Sequence, residues 1–441
     1  MKLATSIATS AARDPDKAAE LLARRHEELA DEVVDALSSL RGGAMKIGQM
    51  ASFIDVDFIP AEFRDTYQEK LAALRDSAPP MSWKQVRSVL EGEWGEPPES
   101  VLEDLEHDAA AAASIGQVHR GRMPDGRAVA VKVQYPEIAD ALEADLGTAA
   151  IIARLGKAIA PGVDPNLIMA EIRERILEEL DYELEAQNQR AFARAYREHP
   201  FAHVPDVITS LSARRVLVSE WIDGQPFAEI MSLPGEERGR IGETIYRFFY
   251  GSLHWLGRFN VDPHPGNYML LDDGRMGFLD FGSVKQMEPE RLRTGIRLMM
   301  TAREQDDDAV VNLLRELGYV RPGSKPNAAL LAAQVRVPNE WVLTDADFTL
   351  DREYVSRLMA QQSQINAETL RLARSISLPA DDLMLNRMGI GVVAVLGQLG
   401  VTRNWHRMAR EAWFGEPPAT DMGAAETAFF TERGLKPILS R

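Results

Sequence analysis

The chain has 441 residues, of which 45% are hydrophobic and 27% are charged, and this composition is ordinary for a folded globular protein. The formal net charge of −17 argues against a nucleic-acid partner, because phosphate backbones are bound by an excess of lysine and arginine. Since the sequence contains no cysteine, disulfides, thiolate zinc sites and a cysteine nucleophile are all excluded.

No segment has the pattern of an export signal or a membrane-spanning helix. Residues 1–12 are a short mixture of alanine, serine and threonine that soon meets Arg13, so no signal peptide is predicted. The most apolar run, 388–401, is broken by Gln398 and four glycines and is shorter than the ~20 apolar residues that cross a bilayer. We expect this run to be a buried helix and the protein to be cytoplasmic, with peripheral attachment to a membrane surface still allowed.

The N-terminal part of the chain is predicted to be helical. Leucine and valine recur at helical spacing over 15–40, which indicates one or two helices, and a polar helical stretch follows over 67–74. A further helix is predicted from Trp83 to Trp94. We expect 1–108 to form a helical N-terminal extension.

Strand patterns begin after this extension. β-Branched and small residues alternate over 127–134 after the turn 124–126, and the run 114–120 precedes them, which predicts a hairpin. The other elements expected here are an acidic helix and two strands, over 166–197, 204–208 and 214–221. A lobe built on a sheet with one helix would thus cover 109–225.

The last part of the chain, 226–441, is predicted to be a mostly helical lobe. Apolar residues from Ile241 to Leu256 fall on one stripe and indicate a buried helix. Two short strands are expected next, over 268–271 and 276–279. Beyond Glu288 the pattern predicts only helices, with a break over 321–326 and a weakly patterned tail from Gly415.

Three polar residues of this last part occur in the order that a phosphoryl-transfer site needs. Asp262 and Asn267 stand five positions apart, and Asp280 follows in the sequence Asp-Phe-Gly. In such sites one carboxylate orients the incoming hydroxyl or water, while an amide and a second carboxylate hold Mg²⁺ against the nucleotide phosphates. We therefore predict an ATP- and Mg²⁺-dependent enzyme with Asp262 as base or orienting group and Asn267 and Asp280 as metal ligands.

Lys132 is the predicted phosphate-binding lysine. It ends the run Val-Ala-Val-Lys on a predicted strand, where a lysine reaches the α- and β-phosphates of ATP. A single strand lysine more often faces solvent, and the order of Asp262, Asn267 and Asp280 downstream is what favours the functional interpretation. Such a lysine needs a carboxylate on a helix, and one is expected from the acidic residues over 178–185, most of which would form a solvated face.

The nucleotide is expected to contact an alanine-rich turn and a strand end. Ala112, Ala113 and Ser114 occupy the position of a glycine-rich phosphate loop, but only Gly116 supplies a glycine in the turn. Alanine restricts the backbone, so the amides cannot wrap phosphates in the usual way; the alternative is the end of an alanine-rich helix. The backbone from Glu220 to Ile222 would face adenine as a hinge, although any buried edge strand can show this pattern.

Taken in order, these motifs resemble those of the ABC1 family of atypical kinases, also called the UbiB or ADCK family. The corresponding segments are a KxGQ motif, an alanine-rich loop, an ExD motif, and the catalytic and metal loops, at Lys46–Gln49, Ala111–Ser114, Glu179–Asp181, Asp262–Asn267 and Asp280–Gly282. One position departs from the pattern, because Asn260 stands where bacterial relatives commonly have histidine.

The resemblance implies an α+β, two-lobed protein-kinase-like fold whose helical N-terminal extension covers the active site. Lys46 would then approach Glu179 and Asp181, while Lys132 would pair with Glu185. It also implies ATP binding and hydrolysis in support of isoprenoid-quinone or other lipid metabolism. The expected partners are a nucleotide, a lipid or quinone precursor and the membrane surface. Ordinary protein-kinase activity is not expected, because the extension would block the substrate cleft.

Two other functions fit part of the pattern. A small-molecule phosphotransferase shares the Asp262, Asn267 and Asp280 core, but it would need neither the Lys46 motif nor the alanine-rich loop. A nucleotide-gated binding module without catalysis would hold nucleotide and signal by conformation. The complete set of Lys132 and the three downstream residues argues against that module, and nucleotide turnover distinguishes the two.

Overall fold

The structure, a computed structural model, describes residues 81–113, 115–136, 138, 180–362, 371–372 and 375–440. The helices predicted over 15–40 and 67–74 lie outside the described residues, as does most of the extension expected over 1–108. In the described part, a five-stranded sheet and three smaller sheets are combined with many helices. The α+β class predicted from the sequence is therefore confirmed.

The first half of the described chain builds the largest sheet. Its elements in chain order are α1 (Trp83–Trp94), α2 (Pro98–Val101), β1 (Asp104–Leu105), β2 (Ala111–Ala113), β3 (Gly116–Arg122), β4 (Ala128–Gln134), α3 (Tyr182–Ala195), β5 (Ala202–His203) and β6 (Val216–Glu220). The sheet is antiparallel in the order β1-β3-β4-β6, with β2 added to β3. The helix predicted over 83–94 and the β3–β4 hairpin are confirmed.

The two faces of this sheet have different partners. One face carries valines of β4 and β6, which pack against α1. Because successive strand residues point to opposite faces, Ala130 and Lys132 lie on the other face of β4. That second face is partly exposed and forms one wall of a cleft.

A group of short strands and one long helix follows the sheet. The elements are β7 (Gln225–Pro226), α4 (Phe227–Ile230), α5 (Gly235–Gly251), β8 (Arg258–Asn260), β9 (Tyr268–Leu270), β10 (Met276–Phe278) and β11 (Val284–Gln286). The α5 helix continues as a π-helix over Ser252–Leu256, and Gly257 ends it with a φ of 67°, a backbone that favours glycine. The predicted buried helix and both predicted strands are thus confirmed.

The small strands hold the polar loops in place. Strands β5, β10, β9 and β7 form one sheet, and β8 pairs with β11. The segment after β8 and the segment after β10 are therefore fixed at both ends by strands. These two segments carry Asp262 and Asp280.

The rest of the chain is mainly helical. Its elements are α6 (Pro289–Arg303), α7 (Asp307–Glu316), α8 (Ala328–Arg336), α9 (Glu340–Leu343), β12 (Phe348–Leu350), α10 (Arg352–Gln362), α11 (Ala380–Leu399), β13 (Val401–Arg403), α12 (Trp405–Phe414) and α13 (Asp421–Glu432). By length and composition, the stretch Asp382–Leu399 of α11 could span a membrane, with a mean hydropathy of 1.2. Half of it is buried inside the protein, and it packs in the main hydrophobic core, as predicted for this run.

Two sequence predictions need correction. The strand expected over 204–208 is only a single bridge from Val207 to Ser219, because the two amides that would extend the ladder donate to side chains instead. The Val218 amide donates to the Ser212 Oγ, and the Asp206 amide donates to the Glu220 carboxylate. The prediction of helices alone beyond Glu288 misses β12 and β13, which pair with each other. The weakly patterned tail, which the sequence places in the helical lobe, contains α13; the Thr420 hydroxyl caps its start by accepting from the Gly423 amide.

Candidate active site

The loop after β8 holds Asp262 and Asn267 side by side. The Asn267 Nδ2 donates to the Asp262 Oδ2 at 3.4 Å, and Asn267 ends a short 3-10 turn over Pro265–Asn267. The His264 Nδ1 accepts from the Gly266 amide at 3.0 Å. In this structure His264 therefore braces the loop.

Asn260 links this loop to the one that carries Asp280. Its Nδ2 donates to the main-chain oxygen of Asp280 at 2.6 Å, and its Oδ1 accepts from the Asp262 amide at 2.9 Å. A carboxamide has both a donor and an acceptor, so one buried side chain fixes both loops. The residue that departs from the family pattern is thus the brace between them.

Asp280 lies at the centre of the cleft. Its Oδ1 accepts from the Gly282 amide at 2.9 Å, and its Oδ2 is 4.0 Å from the Lys132 Nζ. The Leu279 amide donates to the Asn267 main-chain oxygen at 3.1 Å, which brings the amide and carboxylate side chains to the same place. Carboxylate and carboxamide oxygens are the ligands that Mg²⁺ prefers, together with phosphate and water oxygens, so these residues fit the predicted ion.

Lys132 and Glu185 form a buried ion pair. The Lys132 Nζ donates to both Glu185 carboxylate oxygens at 2.8 Å, and the two side chains are only 14% and 4% exposed. The ammonium also lies 4.9 Å from the Tyr182 ring centroid. Burial alone lowers the pKa of the Lys132 ammonium, but the carboxylates of Glu185 and Asp280 outweigh it and raise that pKa above its ordinary value, so the lysine stays charged.

The acidic residues that precede Glu185 have different places. Asp181 caps the start of α3, where its carboxylate accepts from the Glu183 and Leu184 amides. Glu179 and Lys46 lie outside the described residues, so the contact expected between Lys46, Glu179 and Asp181 remains a prediction. Among the considered carboxylates that the structure describes, Glu185 is the one that pairs with Lys132.

Asp262 lies among charges of both signs. Burial and the nearby charge of Asp280 raise the pKa of its carboxyl, while Arg387 and His264 oppose that shift. The Arg387 Nη2 is 3.8 Å from the Asp262 Oδ1. Two carboxylates in one cleft repel each other, and a cation that binds between them relieves this repulsion.

The alanine-rich segment is a strand, which excludes the alternative of a helix end. Ala112 and Ala113 pair with Gln117 and Gly116 in a tight β2–β3 hairpin. Ser114 lies outside the described residues. A side chain at Gly116 would overlap the main-chain oxygen of Val133. Gly116 is therefore required by the close contact between β3 and β4. It also lies in the predicted phosphate loop.

The predicted hinge follows β6. The Glu220 carboxylate lies 3.2 Å from the His203 Nε2 and also accepts from the Asp206 amide. Ile222 packs on Gly277 of β10, where a larger residue would collide with it. The segment therefore connects the large sheet to the smaller sheet beneath the cleft.

The sequence prediction missed the contribution of α11. Arg387 reaches Asp262 from this helix, and one turn further Gly391 leaves just enough space for Pro263 of the catalytic loop. A usable signal was present, because Arg387 is the only charged residue in the apolar run 383–399. Asn188 of α3 was also missed; its Nδ2 donates to the main-chain oxygen of Phe281 at 3.2 Å.

Comparison with known proteins places the chain in a family. Residues 73–314 match the model of the ABC1 atypical kinase-like domain. The chain is similar to the Arabidopsis thaliana protein "ACTIVITY OF BC1 COMPLEX KINASE 1, chloroplastic", with 30% identity over 312 residues, which is 68% of this chain and 45% of that one. It is similar to "Atypical kinase COQ8B, mitochondrial" of Danio rerio, with 31% identity over 260 residues, or 59% and 41% of the two chains.

A solved structure extends the similarity over most of the chain. It is the complex of Rv3197 with erythromycin from Mycobacterium tuberculosis, with 36% identity and a TM-score of 0.64, covering 89% of this chain and 97% of that one. The match to the two curated relatives, in contrast, spans less than half of their length. The predicted kinase-like fold is confirmed by the family match and by this structural similarity.

Proposed function

The chain belongs to the ABC1 atypical kinase-like family, and we propose that it is a Mg²⁺- and ATP-dependent atypical kinase or ATPase. One observation supports this most strongly. Lys132, Glu185, Asp262, Asn267 and Asp280 come from four separate segments and meet in one cleft. The cleft thereby combines a cation that can bind phosphates, oxygen ligands for a metal, and a carboxylate that can orient the acceptor.

Each residue of the cleft has a role in this proposal. Lys132, held by Glu185, binds the α- and β-phosphates, and Asn267 and Asp280 hold the metal. Magnesium, when bound, neutralises charge on the phosphates. Asp262 orients a hydroxyl or a water molecule and accepts its proton.

The other predicted contacts belong to the same proposal. Ala112, Ala113 and Ser114 would cover the phosphates from the hairpin, and the backbone of Glu220 to Ile222 would meet adenine. Lys46 would act as a gate from the N-terminal extension. Since the β2–β3 hairpin has alanine where glycine is usual, we expect Ala112→Gly to change nucleotide affinity or selectivity by loosening the turn.

The acceptor side of the proposal rests on the family. We infer a role in isoprenoid-quinone or other lipid metabolism, with a lipid or quinone precursor and the membrane surface as partners. The net charge of −17 means that attachment to an anionic membrane would need a local apolar or basic surface, since the overall charge opposes it. Water is the acceptor if ATP hydrolysis is the whole reaction.

The test is nucleotide turnover by the purified protein with Mg²⁺, with and without quinone-precursor-like phenols and anionic lipid vesicles. Asp280→Asn should abolish turnover. A matched control is Asp273→Asn, because Asp273 lies in the exposed β9–β10 turn and pairs with Arg275. Turnover that is stimulated by phenols or vesicles and depends on Asp280 supports a lipid-linked enzyme. Tight nucleotide binding without turnover under any condition would instead indicate a nucleotide-gated binding module.

A further inference from the structure

Arg120 lies on the cleft face of the large sheet. In the β3–β4 register, Val118 is opposite Lys132 and Arg120 is opposite Ala130. Alternate strand residues share a face, so Arg120 and Lys132 point to the same side. Their neighbours Gln117 and His119 are buried on the other side. Arg120 thus belongs to the same wall as the phosphate-binding lysine, one pleat nearer the hinge.

The Arg120 guanidinium is held by two residues beyond the far strand. Its Cζ lies 5.1 Å from the Trp221 ring centroid, and its Nη2 is 3.5 Å from the Asp223 Oδ2. The Trp221 Nε1 donates to the Asp223 Oδ1 at 2.9 Å, which closes a triangle of three side chains. The orientation of the guanidinium is therefore set by an aromatic face and a carboxylate together.

This arrangement makes the Arg120 side chain cross β4. Trp221 follows β6, and β4 separates β6 from β3, a distance of roughly 9 to 10 Å for two strand spacings. Ser219 is opposite Ala130, and the Trp221 amide donates to the Ala128 main-chain oxygen at 3.1 Å. The residues that the arginine passes over on this face are thus two alanines, whose small side chains leave room above the sheet.

The path of the Arg120 side chain adjoins the place expected for a nucleotide base. If phosphates bind at Lys132 and the base reaches the backbone of Glu220 to Ile222, the base must lie over Ala130 and Ala128, because these residues separate the two sites along β4. Guanidinium planes stack on aromatic faces and on nucleobases. A guanidinium that crosses these alanines to reach the Trp221 ring is therefore placed against one face of the base.

We propose that Arg120 is a specificity-determining residue that stacks on the nucleotide base and favours purine over pyrimidine nucleotides. This inference rests on the proposed function, because it assumes that the cleft holds ATP. Trp221 and Asp223 are positioning residues that keep the guanidinium over the base site. The larger ring system of a purine gives the guanidinium plane more surface to cover.

If the contacts among Arg120, Trp221 and Asp223 only stabilised the fold, removal of Arg120 would lower the melting temperature and leave base binding unchanged. The Arg120 and Asp223 side chains are 42% and 72% exposed, and an ion pair at that exposure contributes little to folding. Removing Arg120 should therefore leave the melting temperature nearly unchanged. A change in base binding without a change in stability distinguishes a ligand contact from a surface ion pair.

The experiment compares dissociation constants for ATP, CTP and inorganic tripolyphosphate, all with Mg²⁺, in the full chain. The variants are Arg120→Ala, Arg120→Lys and the control Arg122→Ala. Arg122 is one pleat further along β3, is exposed, and reaches the main-chain oxygen of Gly126 in the adjacent turn. Arg120→Ala should weaken ATP binding by roughly three- to thirtyfold, reduce the preference for ATP over CTP, and leave tripolyphosphate binding unchanged.

The other arms decide between stacking and charge. Arg120→Lys keeps the charge but loses the plane, so ATP should remain weakened, whereas Arg122→Ala should match the parent. The inference is overturned if Arg120→Ala binds ATP as tightly as the parent, or if ATP and tripolyphosphate weaken equally. If Asp280→Asn abolishes turnover while Arg120→Ala has no effect, only this inference fails. If the parent binds no nucleotide, the inference and the proposed function fail together.

Discussion

The helical core and the cleft each contain a buried cation surrounded by carboxylates, but only the core cluster is closed. In the core, Arg247 of α5 binds Glu243, Glu411 and Glu426 at 2.9, 2.8 and 3.0 Å. In the cleft, Lys132 binds Glu185 on one side, and the Asp262 and Asp280 side chains on the other are 31% and 33% exposed. The core cluster excludes water, and the cleft cluster is open to a ligand.

The difference distinguishes a charge cluster that holds helices together from a charge cluster that can bind a ligand. Arg247 joins α5 to α12 and α13, and each of its three carboxylate partners accepts a hydrogen bond from it within the fold. In the cleft, the nearest cations are 4.0 Å from Asp280 and 3.8 Å from Asp262, longer than the contacts in the core. Burial and mutual repulsion of the two carboxylates raise the pKa of Asp262. We infer that the cleft is arranged for a cation that arrives with the nucleotide.

The largest effect is expected from opening the core cluster. Arg247→Met removes the cation and leaves three carboxylates buried together, which typically destabilises a protein by about 3–5 kcal/mol. We expect a large fall in the denaturant midpoint, while any folded fraction keeps its nucleotide affinity. An unchanged midpoint would show that the cluster does not hold α5, α12 and α13 together.

The next effect is a pH dependence of the free energy of unfolding that arises from the core cluster. Burial raises the pKa of Glu426 to about 7, against the opposing effect of Arg247, and its Oε1 has no hydrogen-bond partner among the described residues. Because this pKa is higher in the folded state, the stabilisation is fully present below the ordinary glutamate pKa and is lost as the pH rises through about 7. The total change is of order 3 kcal/mol.

Glu426→Gln should remove this pH dependence. The measurement is the free energy of unfolding of parent and variant from pH 4 to 8 in steps, with the difference taken at each pH. We expect the parent to lose stability relative to the variant as the pH rises, and Glu229→Gln, at an exposed site, to behave like the parent. Parallel curves for parent and Glu426→Gln would contradict the proton-linked core.

A smaller effect is expected from the brace between the two cleft loops. Asn260→Ala leaves the Asp262 amide and the Asp280 main-chain oxygen without their partner, at a cost of about 1–3 kcal/mol. Since both loops lose their mutual alignment, turnover should fall more than stability. Asn260→His tests whether the residue common in bacterial relatives replaces the brace. Full turnover in the alanine variant would show that the loops do not need it.

The smallest effect is expected at the contact between α11 and the cleft. The Arg387 Nη2 lies 3.8 Å from Asp262, with both side chains partly exposed, so the pair is worth roughly 0–1 kcal/mol. Arg387→Ala should lower kcat up to about fivefold and leave the KM for ATP unchanged, because the arginine contacts Asp262 and not the Lys132 side of the cleft. Arg387→Lys should recover part of the loss. An equal effect on KM would place Arg387 at the nucleotide instead.

Local patterns predicted the cleft loops well, because their residues are close in the sequence. Asp262 and Asn267 lie in the loop between β8 and β9, and Asp280 lies in the loop between β10 and β11. The hairpin around Lys132 has clear alternation. The prediction of a strand over 204–208 was wrong because the amides of Val218 and Asp206 donate to side chains instead of extending the ladder, and residue types alone do not show this. The bounds of helix α13 were not predicted, because its alanines and glycine weaken the apolar period.

Long-range contacts could not be predicted from local patterns. Arg387 meets Asp262, and Arg247 meets Glu411 and Glu426, only because distant helices pack together. The choice of Glu185 over its acidic neighbours came from the family resemblance, since spacing alone left several carboxylates possible. Arg120 was passed over because strand register, which places it beside Lys132, depends on pairing with β4 and β6.

The most direct test of the open cleft is the effect of Mg²⁺ on ATP binding, measured by calorimetry in the parent, Asp280→Asn and the control Asp273→Asn. If Asp262, Asn267 and Asp280 are arranged for a nucleotide-bound cation, Mg²⁺ should strengthen ATP binding in the parent and in the control, and this effect should vanish in Asp280→Asn while its melting temperature is maintained. An equal effect of Mg²⁺ in all three proteins would contradict the assignment of the cleft as a metal-nucleotide site.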